Sequence, residues 1–252
     1  MYVPIGEALT ENTTARSFRA VYFLEVKAMK KTQTRRLTES AMMIALSTVI
    51  SFVCSLIPVV PFNFPFGGGI TIAGMLPVIL IGYMYGTRWG LLTAFSYSLI
   101  QMLLGHSTVS SLFLPVEEGG MTLAAALVVL LVDYVLAYTV LGLGGLFKSR
   151  MTPGRSLLCG VLLTTVIRYA CHILSGTIFY GAWAQWFFEQ PGIYEAIGEK
   201  VLSTFGGVGL SLVYSVVYNG CYMIPEIILT GVCALLVVRI PAISKRAEAN
   251  IV

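Results

Sequence analysis

The chain has 252 residues, 57% of them apolar and 11% charged, with a net charge of +4 and a mean hydropathy of +0.84. A soluble domain of this size carries about 25% charged residues, so an ordinary soluble fold is excluded. What remains is an all-α, polytopic membrane domain.

The first 33 residues are polar, mixed in charge and without an apolar h-region, so they form no signal peptide. Met29-Lys30-Lys31 reads as an alternative translation start, and 1–33 as an extension without a fold of its own. Residues 34–252 then form the membrane domain. Apolar runs near 20 residues, the length that crosses a bilayer, predict six helices over roughly 38–60, 70–86, 88–104, 121–147, 156–181 and 207–239. Only Tyr85-Gly86-Thr87-Arg88 separates the second from the third. The sixth is longer than a bilayer needs, which predicts tilt or an extramembrane start, and Pro225 inside it predicts a kink.

Arg35 and Arg36 precede the first helix, Arg88 lies in the second loop, Lys148, Arg150 and Arg155 fill the fourth, and Arg239, Lys245 and Arg246 follow the sixth. The opposite loops hold Glu117, Glu118, Glu189, Glu195 and Glu199, with Lys200 their only Lys or Arg. The positive-inside rule then makes both termini cytoplasmic. The net charge therefore reflects topology and points to no nucleic-acid partner. Cysteines 54, 159, 171, 221 and 233 show no metal or redox spacing and no disulfide framework; small apolar packing is the expected role.

Asp133, Arg168, His172 and Glu226 lie deep within the apolar runs. A charge in hydrocarbon costs roughly 3 kcal/mol on insertion scales, which makes each a candidate functional residue. Counting 1.5 Å per residue from the nearest cytoplasmic charge, Asp133, Arg168 and Glu226 stand about 20–22 Å up, His172 about 25 Å and Asn219 about 30 Å. Two carboxylates and one guanidinium leave this layer one positive charge short, which a monocationic ligand would neutralise. At about 100° per residue, Arg168, His172, Ser175, Gly176 and Phe179 share one face of the fifth helix. That mixture is unlike a lipid face, so it turns inward. The residues alone leave two readings open: a site, or a structural Arg168–Glu226 ion pair beside a satisfied core histidine. On the sixth helix Tyr214 and Tyr218 share a face while Asn219 is rotated by about 140°. Tyr214 and Asn219 then line one pocket only if that helix begins irregularly or the ligand wraps around it. Tyr218 reads as an interface-belt tyrosine.

Three stretches, Leu131-Val132-Asp133-Tyr134-Val135-Leu136-Ala137, Arg168-Tyr169-Ala170-Cys171-His172-Ile173-Leu174-Ser175-Gly176 and Tyr214-Ser215-Val216-Val217-Tyr218-Asn219-Gly220, resemble the thiamine-specific substrate-binding (S) components of energy-coupling factor (ECF) transporters, once described as proton-coupled thiamine transporters. Ile70-Thr71-Ile72-Ala73-Gly74-Met75-Leu76-Pro77 and Arg88-Trp89-Gly90-Leu91-Leu92-Thr93 add to it, and the similarity spans roughly 34–240.

The resemblance implies a six-helix S component of the bacterial plasma membrane that binds thiamine from outside. Carried over, the family's site corresponds to Asp133, Tyr134, His172, Tyr214 and Asn219, with Tyr180 as the aromatic at the outer end of helix five. Some relatives have Trp at Tyr180 and Glu at Asp133. The first outer loop lacks their Trp, and Phe62, Phe64 and Phe66 stand in for it, with Gly67-Gly68-Gly69 allowing close approach. Thiamine suits these residues: aromatic faces attract its fixed thiazolium cation, and a carboxylate and a carboxamide match its aminopyrimidine. In this reading Asp133 takes the amine or balances the cation, Asn219 and Tyr214 bond the pyrimidine, and Tyr180, Trp183 and His172 stack on the rings. No cofactor or metal is expected.

No G-x-x-x-x-G-K-[ST] sequence exists, so no Walker site hydrolyses ATP here. The resemblance implies a transmembrane coupling protein and two ATPase subunits as partners. Ala41-x3-Ala45 on the first helix has the small-xxx-small spacing that lets another helix approach. It serves either the coupling subunit or internal packing. The alternatives are an S component for another vitamin, or a proton-driven symporter titrating Asp133 or Glu226. With His172 the one intramembrane histidine and no HExxH or GxSxG pattern, an enzyme is the weakest reading.

Overall fold

A computed structural model describes residues 32–57, 64 and 67–249, and among them every regular element is helical. The chain divides into two compact units, Met1–Met42 and Met43–Val252. Nearly all of the 1–33 extension, and Phe62 and Phe66, lie outside the described residues. Helix α1 is Thr32–Ser55. It is followed by α2 (Leu76–Tyr85), α3 (Thr87–Leu104), α4 (Leu123–Gly145), α5 (Pro153–Phe179), α6 (Gly207–Val237) and α7 (Pro241–Ala249). Four of these, α1, α4, α5 and α6, are long and apolar enough to cross a membrane.

The second apolar run departs from the expected spanning helix. Only 10 of its residues, α2, are helical, about 15 Å and half of the hydrocarbon thickness. Leu76 to Met84 are all buried, as befits a helix that is apolar all round. The chain before it, residues 67–75, is non-helical. Ile72 and Ala73 take left-handed φ values of 48° and 63°, each costing about 1–3 kcal/mol. Irregular backbone at membrane depth survives only inside protein or along a cavity. Here Gly67 to Thr71 line a cavity and Ala73 to Met75 are buried, while the Ile72 side chain is exposed.

Beneath it the helices close on glycines. A Cβ on Gly82 of α2 would strike the Gly142 carbonyl of α4, and one on Gly142 would strike Gly90 of α3. Small residues allow this approach where no hydrophobic force drives helices together. Around that contact lies a core of Ile79, Ile81, Tyr83, Tyr97, Leu141, Leu157 and Val161, joined by Ala247 of α7. A second core joins Phe187 and Phe188, in the folded connection between α5 and α6, to Tyr214, Tyr218 and Tyr222. Leu46 and Phe52 of α1, Leu131 of α4, Val166 and Ile178 of α5, and Ile228 and Val232 of α6 are exposed. So extensive an apolar exterior suits lipid rather than water. Helix α6 runs unbroken through Pro225 for 31 residues, about 46 Å and well beyond the hydrocarbon core. The five cysteines are free thiols.

Candidate functional site

Helix α4 changes geometry where its acid lies. An α-helical start (Leu123–Val129) passes into a π-helical stretch, Leu130–Leu136, then a short α-turn and a 3-10 end at Val140–Gly145. π-Helical turns are rare and cluster at functional sites. This one carries Asp133 and Tyr134, and both line a cavity of about 630 Å³, within the range of small-molecule sites.

Helix α5 contributes Arg168, His172 and Gly176 to the same cavity, a stripe at i, i+4 and i+8, and Tyr180, just past its end, joins them. Helix α6 contributes Tyr214, Tyr218, Asn219 and Tyr222. Relative to Tyr214 these fall at about 40°, 140° and 80°, so Tyr218 and Tyr222 fill the arc between Tyr214 and Asn219. That width is ordinary for the inward face of a helix. No irregular start or wrapping ligand is needed. Gln101 of α3, Tyr138 of α4, and Phe64 with Gly67 to Thr71 complete the walls used below.

The carboxylate of Asp133 is held on both oxygens. His172 Nδ1 lies 3.0 Å from Oδ1, and Ser175 Oγ donates to Oδ2 at 2.7 Å. Arg168 Nε donates to His172 Nε2 at 3.2 Å, which puts the ring proton on Nδ1, donated to Asp133. Arg168 also lies with Cζ 4.0 Å from the centre of the Tyr138 ring, a cation–π contact. Asn219 Nδ2 donates to the Ser215 and His172 carbonyls at 2.9 and 3.3 Å, while Tyr222 OH donates to Asn219 Oδ1 at 2.6 Å. The polar groups of the site thus hold one another in a connected set of hydrogen bonds.

The family described as Thiamine transporter protein (Thia_YuaJ) matches residues 37–190. The chain belongs to this family. It is 28% identical over 225 residues to thiamine transporter ThiT of Bacillus subtilis (strain 168), covering 85% of this chain and 96% of the relative. The solved structure of ThiT from Listeria monocytogenes matches with a TM-score of 0.56 at 18% identity, over 84% of this chain and 98% of that one; this likeness concerns the fold. Membership makes the chain a multi-pass membrane thiamine transporter of the S-component kind, and a transporter rather than an enzyme. The family match contains Asp133, Tyr134, His172 and Tyr180 and ends before Tyr214 and Asn219.

Of the residues expected to line a thiamine site, the fold gathers Asp133, Tyr134, His172, Tyr180, Tyr214 and Asn219 around one cavity. Trp183 is not brought there. Helix α5 ends at Phe179, and the following 3-10 turn, Gly181–Trp183, carries the indole off the α5 stripe. It is 39% exposed and meets Trp186 edge-to-face at 6.3 Å. Tyr218 reverses the other way: it is no belt residue but 5% exposed, with its hydroxyl donating to Gly67 O at 3.1 Å. Phe179 packs beside Leu112 and Val129 instead of joining the cavity-facing stripe.

The Arg168–Glu226 ion pair is also absent among the described residues. Glu226 accepts from Thr71 N and Thr71 Oγ1, each at 2.8 Å, and does not line the cavity. The charges at the cavity are therefore Asp133 and Arg168, which balance. The expected deficit of one positive charge arose from counting Glu226 in the same wall. Attraction for a cation falls instead to the aromatic rings of the lining, Phe52, Phe64, Tyr134, Tyr138, Tyr180, Tyr214, Tyr218 and Tyr222. Tyr138, Tyr222 and Gln101 were missed in the sequence. For the tyrosines the i+4 continuation of Tyr134 and Tyr218 was the available signal.

Proposed function

We propose that this cavity is the thiamine site of an S component that captures the vitamin from outside the cell and passes it inward with an ATP-driven ECF coupling module. The observation that carries the reading is one carboxylate, held by His172 and Ser175, in a cavity walled by eight phenylalanine and tyrosine rings. The thiazolium rests on ring faces, worth about 2 kcal/mol or more where water is excluded. The aminopyrimidine amine donates to lone pairs of Asp133 left open beside His172 and Ser175, since a carboxylate accepts at about four sites. Asn219 has committed Nδ2 to Ser215 and His172, so it offers the ligand its second carbonyl lone pair, and Tyr214 and Tyr180 supply rings.

Both termini are cytoplasmic in this proposal. The partners are a transmembrane coupling protein and two ATPases. Ala41 and Ala45, both exposed, form the docking face on α1. The test is mass spectrometry of the small molecule that co-purifies with the protein, followed by uptake of labelled thiamine in cells with and without the coupling ATPases. Bound thiamine and uptake lost with the ATPases are expected. A different bound vitamin would replace the ligand assignment, and uptake that persists without ATPases but collapses with the proton gradient would make the protein a symporter.

A further inference from the structure

One stripe of α6 grips the irregular segment before α2 at three successive turns. Tyr218 OH donates to Gly67 O at 3.1 Å. The Tyr222 ring lies so close over Gly68 that an added Cβ would come within 2.5 Å of it. Glu226, four residues further on, takes both Thr71 N–H and Thr71 Oγ–H at 2.8 Å. Residues 218, 222 and 226 follow the i, i+4, i+8 row of a helix face, so the grip is a zipper between one helix and one irregular wall. Its last tooth is, among the described residues, the one buried carboxylate outside the cavity lining, 2% exposed.

We infer that Glu226 is a positioning residue: its two-bond fork on Thr71 sets the place of residues 67–71, and so the shape of the thiamine cavity those residues wall. Three physical facts require such a fork. Thr71 N–H lies in a segment without helical partners at membrane depth, where an unpaired donor is costly. Ile72 and Ala73 follow at once with left-handed φ values of 48° and 63°, a conformation that persists only when its surroundings over-determine it. Both donors belong to one residue, so the fork fixes orientation as well as distance. Glu226 also sits seven residues, about two turns, from Asn219 on nearly the same azimuth of α6. The wall is therefore registered against the helix that carries Tyr218, Asn219 and Tyr222.

The ligand part of this inference rests on the cavity being the thiamine site; the conformational part does not. The test accordingly has two readouts on purified protein: hydrogen–deuterium exchange of the 67–75 peptide without ligand, and thiamine affinity by calorimetry. Glu226→Leu removes both bonds, and exchange at 67–75 is expected to rise about tenfold or more, with affinity falling by a similar factor. Glu226→Gln keeps the fork, with its oxygen on Thr71 N–H and its amide donating to Thr71 Oγ1, and both readouts should stay within about threefold. Thr71→Val loses one bond and falls between them; it serves where Glu226→Leu does not fold. Unchanged exchange in both Glu226→Leu and Thr71→Val overturns the inference. Equal damage from Glu226→Gln and Glu226→Leu also overturns it, because charge rather than the fork would then be at work. Raised exchange with unaltered affinity overturns the link to the cavity and leaves only a structural tie.

Discussion

Arg168 and Asp133 never touch, yet His172 couples them: it accepts from Arg168 on Nε2 at 3.2 Å and faces Asp133 with Nδ1 at 3.0 Å. The imidazole is thereby fixed as the neutral Nδ1–H tautomer, and a cation and an anion stand on either side of it. A site that looked short of one positive charge is locally balanced. Its preference for a cation comes from the rings and from the unshared lone pairs of Asp133.

Asp133→Asn keeps an acceptor for His172 and a partner for Ser175 but removes the charge. Hydrogen bonds to a charged group contribute about 1.5–3 kcal/mol against about 0.5–1.5 for neutral pairs. Thiamine affinity measured by calorimetry should fall about tenfold. Affinity within a few-fold of wild type would show that the carboxylate's charge does not hold the ligand.

Trp183 and Tyr218 exchanged roles between sequence and structure, and a pair of variants separates them. Tyr218→Leu removes a cavity ring and the bond to Gly67 O; with about 2 kcal/mol lost from a desolvated cation–π contact, affinity should drop roughly 30-fold. Trp183→Leu should leave the dissociation constant within about threefold. The opposite ranking would return Trp183 to the site.

Gly142→Ala forces a methyl group against the Gly90 backbone. Overpacking of this kind costs about 1–3 kcal/mol. Thermal unfolding in detergent should show a lowered midpoint, while the folded fraction binds thiamine normally, because the glycine contact lies outside the cavity lining. A wild-type midpoint would mean that α3 and α4 part without cost.

Ala41→Trp places a large ring on an exposed small-residue face of α1. Thiamine binding to the isolated protein should be unaffected, whereas uptake in cells carrying the coupling module should be abolished. Uptake at the wild-type rate would remove Ala41 and Ala45 from the docking surface.

Composition, apolar run length and the depth of single charges were enough to establish an all-helical membrane protein and to mark Asp133, Arg168, His172 and Glu226 as candidates, because burying a charge in hydrocarbon is costly whatever the fold around it. The motifs on α4, α5 and α6 named a ligand class that the family match supports. Three matters were decided only by tertiary structure. The 70–86 run is long and apolar enough to look like a span, but Glu226, 155 residues away from Thr71, satisfies its backbone and lets it stay irregular. Tyr218 and Trp183 are both aromatic; helix azimuth and the point where α5 stops determine which one lines the cavity. Charges at equal depth can be counted from sequence, but whether two of them meet depends on how the helices are rotated. Arg168 and Glu226 share a depth and find different partners, since a hydrogen bond is directional and short-ranged while depth along a helix is only one coordinate.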